Sequence, residues 1–290
     1  LTLASGILGI SFSSLQRVIR DGAGMVTTKS LSLEPCIGHA GPIIAEFEGG
    51  LINSVGLTNP GIHDGLLEVE KFHKEFAGVS IVSVFGADPD EFVSLAEAVN
   101  HSQADFLELN LSCPNVADEF KRPFALIPEK ITEIVSAVKT VSKLPVLAKL
   151  SPNAYDVAGM ASLAETAGAD GITMINTLGH GMVIDAIARR PVLHNNFGGI
   201  SGPCIKPLAL KLIRDVYLKV NIPILGTGGV SNGLDAVEMM MAGAAAVAIG
   251  SAVYDRGLDV FRSTRQEMEA FMAEHGYADY ADLIGILQEN

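Results

Sequence analysis

The chemistry this sequence can offer is concentrated in one thiol, two lysines and a set of asparagines. Cys113 lies in FLELNLSCPN, residues 106–115. Phe106, Leu107, Leu109 and Leu111 form an apolar run of strand length, broken only by Glu108 and Asn110. Pro114 ends it, because proline brings no N–H to a ladder and restricts the residue before it. Cys113 therefore sits just past a strand end, flanked by the carboxamides of Asn110 and Asn115. A thiol placed there can act as a base or nucleophile, while the amides donate and accept hydrogen bonds without changing charge. The same residues also describe an inert buried cysteine beside turn-forming asparagines. Lys29 closes the run MVTTK and Lys149 the run VLAKL. An ammonium at the end of a buried strand needs an anion or an electron-rich group beside it. A lysine reaching from a rim into water is the plainer account of either one alone.

Three glycine-rich turns add an anion site. GTGGVS at 226–231 and GSA at 250–252 each lead from an apolar run into a helix-like segment, and GGISGP at 198–203 has the same permissive backbone. Turns of this kind expose N–H groups to phosphate. No GxGxxG pattern opens a helix, so a Rossmann-bound dinucleotide is not indicated. Phosphate site, lysine pair, carboxamides and thiol together suit flavin mononucleotide (FMN) with an amide-rich substrate above it. Lysine near a flavin's pyrimidine edge stabilises its anionic reduced form.

The elements that must position these groups repeat eight times. Short apolar runs at 1–5, 25–29, 80–84, 106–110, 146–150, 172–176, 222–226 and 246–250 alternate with helical patterns near 12–21, 63–76, 89–101, 128–142, 155–167, 204–219, 232–242 and 257–274. Pro89 and Pro128 suit first helical turns, and Ser231 or Asn232 suits an N-cap. Strands alternating with helices pair in parallel, and near-continuous apolar strands are buried on both faces. Eight units predict an α/β fold of the TIM type, a parallel (β/α)8 barrel forming one domain over residues 1–290. An open doubly wound sheet is the alternative. Strand ends then gather Ser5, Lys29, Ser83, Asn110, Lys149, Asn176, the turn at 226–229 and Gly250-Ser251 at the C-terminal mouth, where such barrels build their sites. Two long connections, 30–62 and 177–203, leave the same face. Each carries extended pieces, PIIAEFEG and PVLHNNFGG, suited to hairpins over the mouth.

Composition sets the bounds. The chain has 290 residues, enough for a barrel of about 250. Hydrophobic residues make up 48% and aromatics 6% with no Trp, so the core is aliphatic. A formal charge of −13 argues against nucleic acid or an anionic membrane as partner. Three cysteines, Cys36, Cys113 and Cys204, without CxxC spacing predict neither a disulfide framework nor a metal site, and a reduced, cytoplasmic protein. The stretch from Met239 to Val253 is too short and weakly apolar for a bilayer and reads as a buried helix end plus a buried strand. Leu1 already falls in a strand, so an N-terminal segment closing the barrel floor is expected to precede it.

Taken in order, TKS around Lys29, NSVGLTNPG at 53–61, NLSCPN at 110–115, KLSPN at 149–153, MINT at 174–177, GGISGPCIKPLAL at 198–210, GTGGV at 226–230 and GS at 250–251 resemble the class 1 dihydroorotate dehydrogenases, most closely the catalytic subunit of type B enzymes. The resemblance covers nearly the whole chain. It implies an FMN-containing barrel that oxidises dihydroorotate to orotate in pyrimidine biosynthesis. Cys113 would take the C5 proton while hydride leaves C6 for the flavin; membrane-associated class 2 relatives use serine there. Lys29 and Asn53, with the backbone of Ser54, Val55, Gly56 and Leu57, would hold the substrate's carboxylate and ring. Asn110, Asn176 and Thr177 would complete its amide contacts. Ser5, Lys29, Ser30, Ser83, Asn110, Lys149 and Ile175 would line the flavin, and Gly202, Gly228, Gly229, Gly250 and Ser251 its phosphate end. Asn59 and Asn115 lie in matching motifs.

The sequence departs from the family's pattern at Ser83, where relatives carry asparagine, and in the charged segment VADEFKRPFALIPE after Cys113, where they often have a glycine-rich lid. Type B relatives pass electrons to a subunit carrying FAD and an iron–sulfur cluster and on to NAD; type A relatives use fumarate. Three cysteines are too few to ligate such a cluster in this chain. A homodimer is implied by the same resemblance. The residues leave three rivals: an aldolase-like barrel with Lys149 as Schiff-base lysine, a flavin-binding electron carrier without a substrate, and a related FMN barrel acting on uracil or dihydrouridine. The asparagine cluster speaks against the second, since an electron carrier needs no amide-lined site.

Overall fold

Eight parallel strands close on themselves in the computed structural model, which describes residues 1–112 and 123–288. They are β1 (Thr2–Leu3), β2 (Met25–Thr27), β3 (Val79–Val84), β4 (Phe106–Asn110), β5 (Val146–Lys149), β6 (Gly171–Met174), β7 (Ile224–Thr227) and β8 (Ala246–Ile249). Each pairs in parallel with its neighbours in sequence, and β1 pairs with β8 to complete the ring. Sequential closure of this kind excludes the doubly wound sheet. The eight main helices are α1 (Phe12–Arg20), α2 (Ile62–Glu75), α3 (Pro89–Val99), α4 (Pro128–Val141), α5 (Val157–Thr166), α6 (Lys206–Tyr217), α7 (Gly233–Ala242) and α8 (Val260–His275). A short helix, Ala252–Arg256, separates β8 from α8.

Local sequence explains where helices begin. Asp88 accepts from the Glu91 N–H at 2.9 Å ahead of Pro89, and Asn232 accepts from the Asp235 N–H at 3.0 Å. Each such cap contributes about 1 kcal/mol. Side-chain alternation on the strands explains the two cores. Leu107 and Leu109 belong to the outer core with Ile131, Ile134, Val135 and Val138 of α4. Phe106 instead packs on the inner cluster of Ile81, Leu147, Leu225 and Ala248. FLELN thus sends its leucines outward and Phe106, Glu108 and Asn110 inward. The stretch from Met239 to Val253 holds the end of α7, a turn and β8, as its composition predicts, and the start of the short helix Ala252–Arg256, which it does not.

The strands are shorter at the mouth than their apolar runs. Lys29 lies two residues past β2, held by its N–H to the Gly9 carbonyl at 2.8 Å. Asn176 lies two residues past β6, following a cis Met174–Ile175 peptide. Hairpins form in both long connections, and the first, Ile44–Phe47 with Gly50–Asn53, is joined to strands of the second. Strands Ile44–Phe47, Gly50–Asn53, Gly198–Ser201 and Leu178–Gly181 make one antiparallel sheet in that order, so both loops share a single cover. Asn53 faces Gly199 across it. A further two-stranded piece joins Ile184–Asp185 to Arg190–Pro191. Among the described residues no helix is long and apolar enough to cross a membrane.

Candidate active site at the barrel mouth

A run of hydrogen bonds crosses the C-terminal mouth. Ser5 Oγ donates to the Thr28 carbonyl at 2.8 Å and lies 3.3 Å from Ser30 Oγ. Ser30 Oγ is 2.9 Å from Ser83 Oγ and accepts from Asn110 Nδ2 at 2.9 Å. Asn110 Oδ1 in turn accepts from Ser112 Oγ at 2.8 Å, and Ser112 Oγ accepts from Asn176 Nδ2 at 2.5 Å. Asn176 Oδ1 takes the Thr177 N–H at 2.8 Å. Donation therefore runs one way, from Asn176 through Ser112 and Asn110 to Ser30. Each carboxamide is fixed in orientation and keeps a second N–H to offer. Ser83 is fully buried, with its hydroxyl on Ser30 and its N–H on Thr28 Oγ1 at 3.0 Å, so it supports the ribbon from behind.

Both lysines are buried at the mouth. Lys29 is 8% exposed, and its Nζ makes no hydrogen bond or ion pair with a described residue. Burial alone pushes its pKa below the ordinary lysine value. A desolvated ammonium without a partner is poised for an anion. Lys149 is 5% exposed, with Nζ 3.8 Å from Glu108 Oε1.

Within 53–57 the groups divide. Asn53 Nδ2 donates to the Gly199 carbonyl at 3.4 Å. Ser54 is committed inside the loop: its N–H donates to the Ile43 carbonyl at 2.8 Å, and its hydroxyl and carbonyl lie 3.0 and 3.2 Å from His39 Nδ1. The N–H groups of Val55, Gly56 and Leu57 carry no such bond among the described residues. Gly56 (φ +75°) lies against the His39 ring, where a Cβ would come within 2.8 Å. Asn59 also serves the loop. Its side chain accepts the Gly61 N–H at 2.9 Å and donates to Ser32 Oγ and the Leu57 carbonyl, both at 2.9 Å.

The glycine turns form a close-packed cradle. A Cβ on Gly229 (φ +76°) would fall 2.8 Å from the Lys206 N and 2.9 Å from the Gly202 carbonyl; one on Gly228 would meet Ala209 at 2.9 Å. A Cβ on Gly202 (φ +103°) would fall 2.8 Å from the Gly50 Cα. The N–H groups of Gly228, Gly229 and Ser251 donate to no described residue. Ile175 lies beside this turn, its N–H on the Thr227 carbonyl at 2.9 Å. Gly250, which precedes Ser251, has only Ala4 and Ile7 side chains near its missing Cβ. Thr177 packs on Gly199, where a Cβ would collide with its hydroxyl.

Besides His39, two supports escaped the sequence reading. Ser112 is buried and holds both mouth asparagines, yet a serine after a strand end carries no periodic signal. Asp235 accepts from Lys206 Nζ at 2.6 Å and from the Ser231 N–H at 2.8 Å, and Glu238 accepts from the same Nζ at 2.7 Å. That clamp ties the lysine of GPCIKP to the end of GTGGVS. Burial works against the Lys206 ammonium, but its bonds to Asp235 and Glu238 outweigh it and raise its pKa. Cys113 and Asn115 lie outside the described residues, as does the first half, 116–122, of the charged segment that follows them. Its far end is anchored by the Ala125 N–H on the Leu111 carbonyl at 2.8 Å.

The family model described as Dihydroorotate dehydrogenase matches residues 1–272. This chain belongs to the dihydroorotate dehydrogenase family. It is 44% identical over 292 residues to the dihydroorotate dehydrogenase B (NAD(+)) catalytic subunit of Methanothermobacter thermautotrophicus, covering 99% of this chain and 94% of the relative. The subunit of the same description from Pyrococcus abyssi is 45% identical over 287 residues, with the same coverage of each chain. Among solved structures, DHODH from Eimeria tenella in complex with ferulenol superposes with a TM-score of 0.82 at 22% identity, over 98% of this chain and 84% of that one. That likeness is one of fold, and the family's barrel is the one described above.

Proposed function

We propose that this chain oxidises dihydroorotate to orotate, with FMN held at the barrel mouth and Cys113 as general base. The observation that carries the reading is the one-way hydrogen-bond ribbon from Asn176 to Ser30, which fixes two carboxamides at the mouth where Lys29 lies buried without a partner among the described residues. An amide-bearing ring with a carboxylate is the ligand such a surface complements. Family membership and the relatives' names support the same substrate.

The residues present fit FMN. Gly202, Gly228 and Gly229 leave room only for backbone, and the unspent N–H groups of Gly228, Gly229 and Ser251 suit its phosphate, with Gly250 alongside. Ser5, Ser30, Asn110 and Ile175 would line the ring, with Ser83 behind Ser30 and with Lys29 and Lys149 supplying positive charge. Bound there, FMN would supply the hydride acceptor for substrate C6.

The chain's own residues do the rest. Lys29 and Asn53 hold the substrate carboxylate, with the free N–H groups of Val55, Gly56 and Leu57; Ser54 braces that loop through His39. Asn110, Asn176 and Thr177 orient the ring amides. Cys113 Sγ takes the C5 proton. A free thiol titrates near pH 8.5, about the range from which a neighbouring ammonium brings it toward neutrality. Lys149, nearly sealed from solvent and opposite Glu108, is poorly placed to form a Schiff base with an incoming carbonyl.

Electrons leave through a partner subunit bearing FAD and an iron–sulfur cluster, toward NAD, around a homodimeric core of this chain. The name "catalytic subunit" on the relatives supports a partner. Cys113→Ala is expected to retain FMN and lose most turnover with dihydroorotate, about 100-fold or more if proton abstraction is its task. Turnover near wild type would reassign the base.

A further inference from the structure

The inner face of β4 carries a charge that the reaction does not use. Glu108 is 1% exposed, and its Oε1 accepts no hydrogen bond among the described residues. Phe106 stands two residues below it and Asn110 two residues above. Its ion-pair partner is Lys149 on β5, whose Nζ lies 3.8 Å from that oxygen, beyond hydrogen-bond length. Strand register sets the layers: Glu108 pairs with Leu147, and Asn110 with Lys149. The carboxylate thus belongs to the layer beneath the one from which the lysine departs.

Packing gives no reason for an acid there. Ile81, Leu147, Leu225 and Ala248 fill the barrel interior around it. Two desolvated charges without a hydrogen bond between them stabilise a fold less than apolar side chains of equal volume would. The effect of the pair is therefore to be sought at the mouth, where Lys149 leaves β5 in register with Asn110 of the ribbon.

We propose that Glu108 is a positioning residue for Lys149: its carboxylate tethers the ammonium from the layer below and offsets the positive charge that the lysine presents to bound FMN. This rests on reading the mouth as an FMN site. Glu108 does not reach the reacting atoms; it acts through the lysine. The two charges then pull the flavin's redox balance in opposite directions. Removing the carboxylate leaves the ammonium uncompensated and favours the anionic reduced flavin. Removing the ammonium leaves a bare carboxylate below and favours the oxidised form. Removing both cancels the two effects. A role confined to packing moves neither balance, or moves both the same way.

The test compares wild type, Glu108→Gln, Lys149→Met and the double variant, each loaded with FMN, by the midpoint potential of the bound flavin. Glu108→Gln is expected to shift the ratio of reduced to oxidised affinity at least tenfold toward the reduced form, about 30 mV for a two-electron couple. Lys149→Met is expected to shift it by a similar factor the other way, and the double variant to stay within threefold of wild type. Where one single variant strands a buried charge and fails to fold, the other single variant, measured against the double variant, decides. A double variant more than tenfold from wild type overturns the proposal. So does an unmoved potential in Glu108→Gln, or two single variants shifting together. Failure of the underlying reading shows separately and earlier, as a wild-type protein that takes up no FMN.

Discussion

Ser112 is the residue on which the mouth's order depends most. It donates to Asn110 and accepts from Asn176, so one hydroxyl sets two carboxamides. Each such bond contributes about 0.5–1.5 kcal/mol net. Ser112→Ala is therefore expected to lower kcat/KM for dihydroorotate about 10- to 100-fold while the protein keeps its FMN, a split that steady-state kinetics and flavin content resolve together. Lys29 yields a pH effect. Its pKa is depressed by burial, so the ammonium that would hold the substrate carboxylate is lost at a lower pH than in an ordinary lysine. KM is expected to rise with pH through an alkaline limb that begins below about pH 10.4, the unperturbed lysine value. In Lys29→Met that limb disappears and KM is high throughout. For stability the sign is reversed. The unfolded chain binds more protons than the folded one between the depressed and ordinary values, so the cost of burying Lys29 falls as pH climbs through that window.

Elements carry the cofactor's phosphate end. Gly229 has no room for a Cβ against the Lys206 N and the Gly202 carbonyl, and its φ of +76° is left-handed. Gly276, at the end of α8, has nearly the same φ of +77° with nothing within 4 Å of its missing Cβ. Both glycine-to-alanine changes carry the left-handed backbone penalty of roughly 1–2 kcal/mol. Only Gly229→Ala is expected to weaken FMN binding, by tenfold or more in a fluorescence titration; equal losses in both would take the phosphate away from this turn. At this scale the sequence was most legible. Apolar runs, proline at first turns and polar caps placed all eight strands and eight helices within two or three residues. The shared cover over the mouth was not legible, because pairing Leu51 with Ser201 joins segments 150 residues apart and no local period encodes it. The short helix Ala252–Arg256 was lost for a related reason: five residues show too little periodicity. Site residues followed the same division. Lys29, Asn110 and Asn176 declared themselves by standing at strand ends, whereas Ser112, His39 and Asp235 work by contacts made only on folding.

For the molecule as a whole, charge and architecture act in opposition. A net charge of −13 repels anionic ligands at long range, so affinity for a phosphate and a carboxylate must come from a few buried cations and oriented N–H groups at one mouth. The parallel barrel supplies that focus, since every strand delivers its last side chain to the same face and the joint cover sheet closes over it. The most direct measurement is to load the purified chain with FMN, exclude oxygen and add dihydroorotate while following the flavin's visible absorption. The predicted result is bleaching of the bound flavin with one orotate formed for each flavin reduced. A chain that retains no FMN, or a loaded one that stays oxidised in excess dihydroorotate, would contradict it.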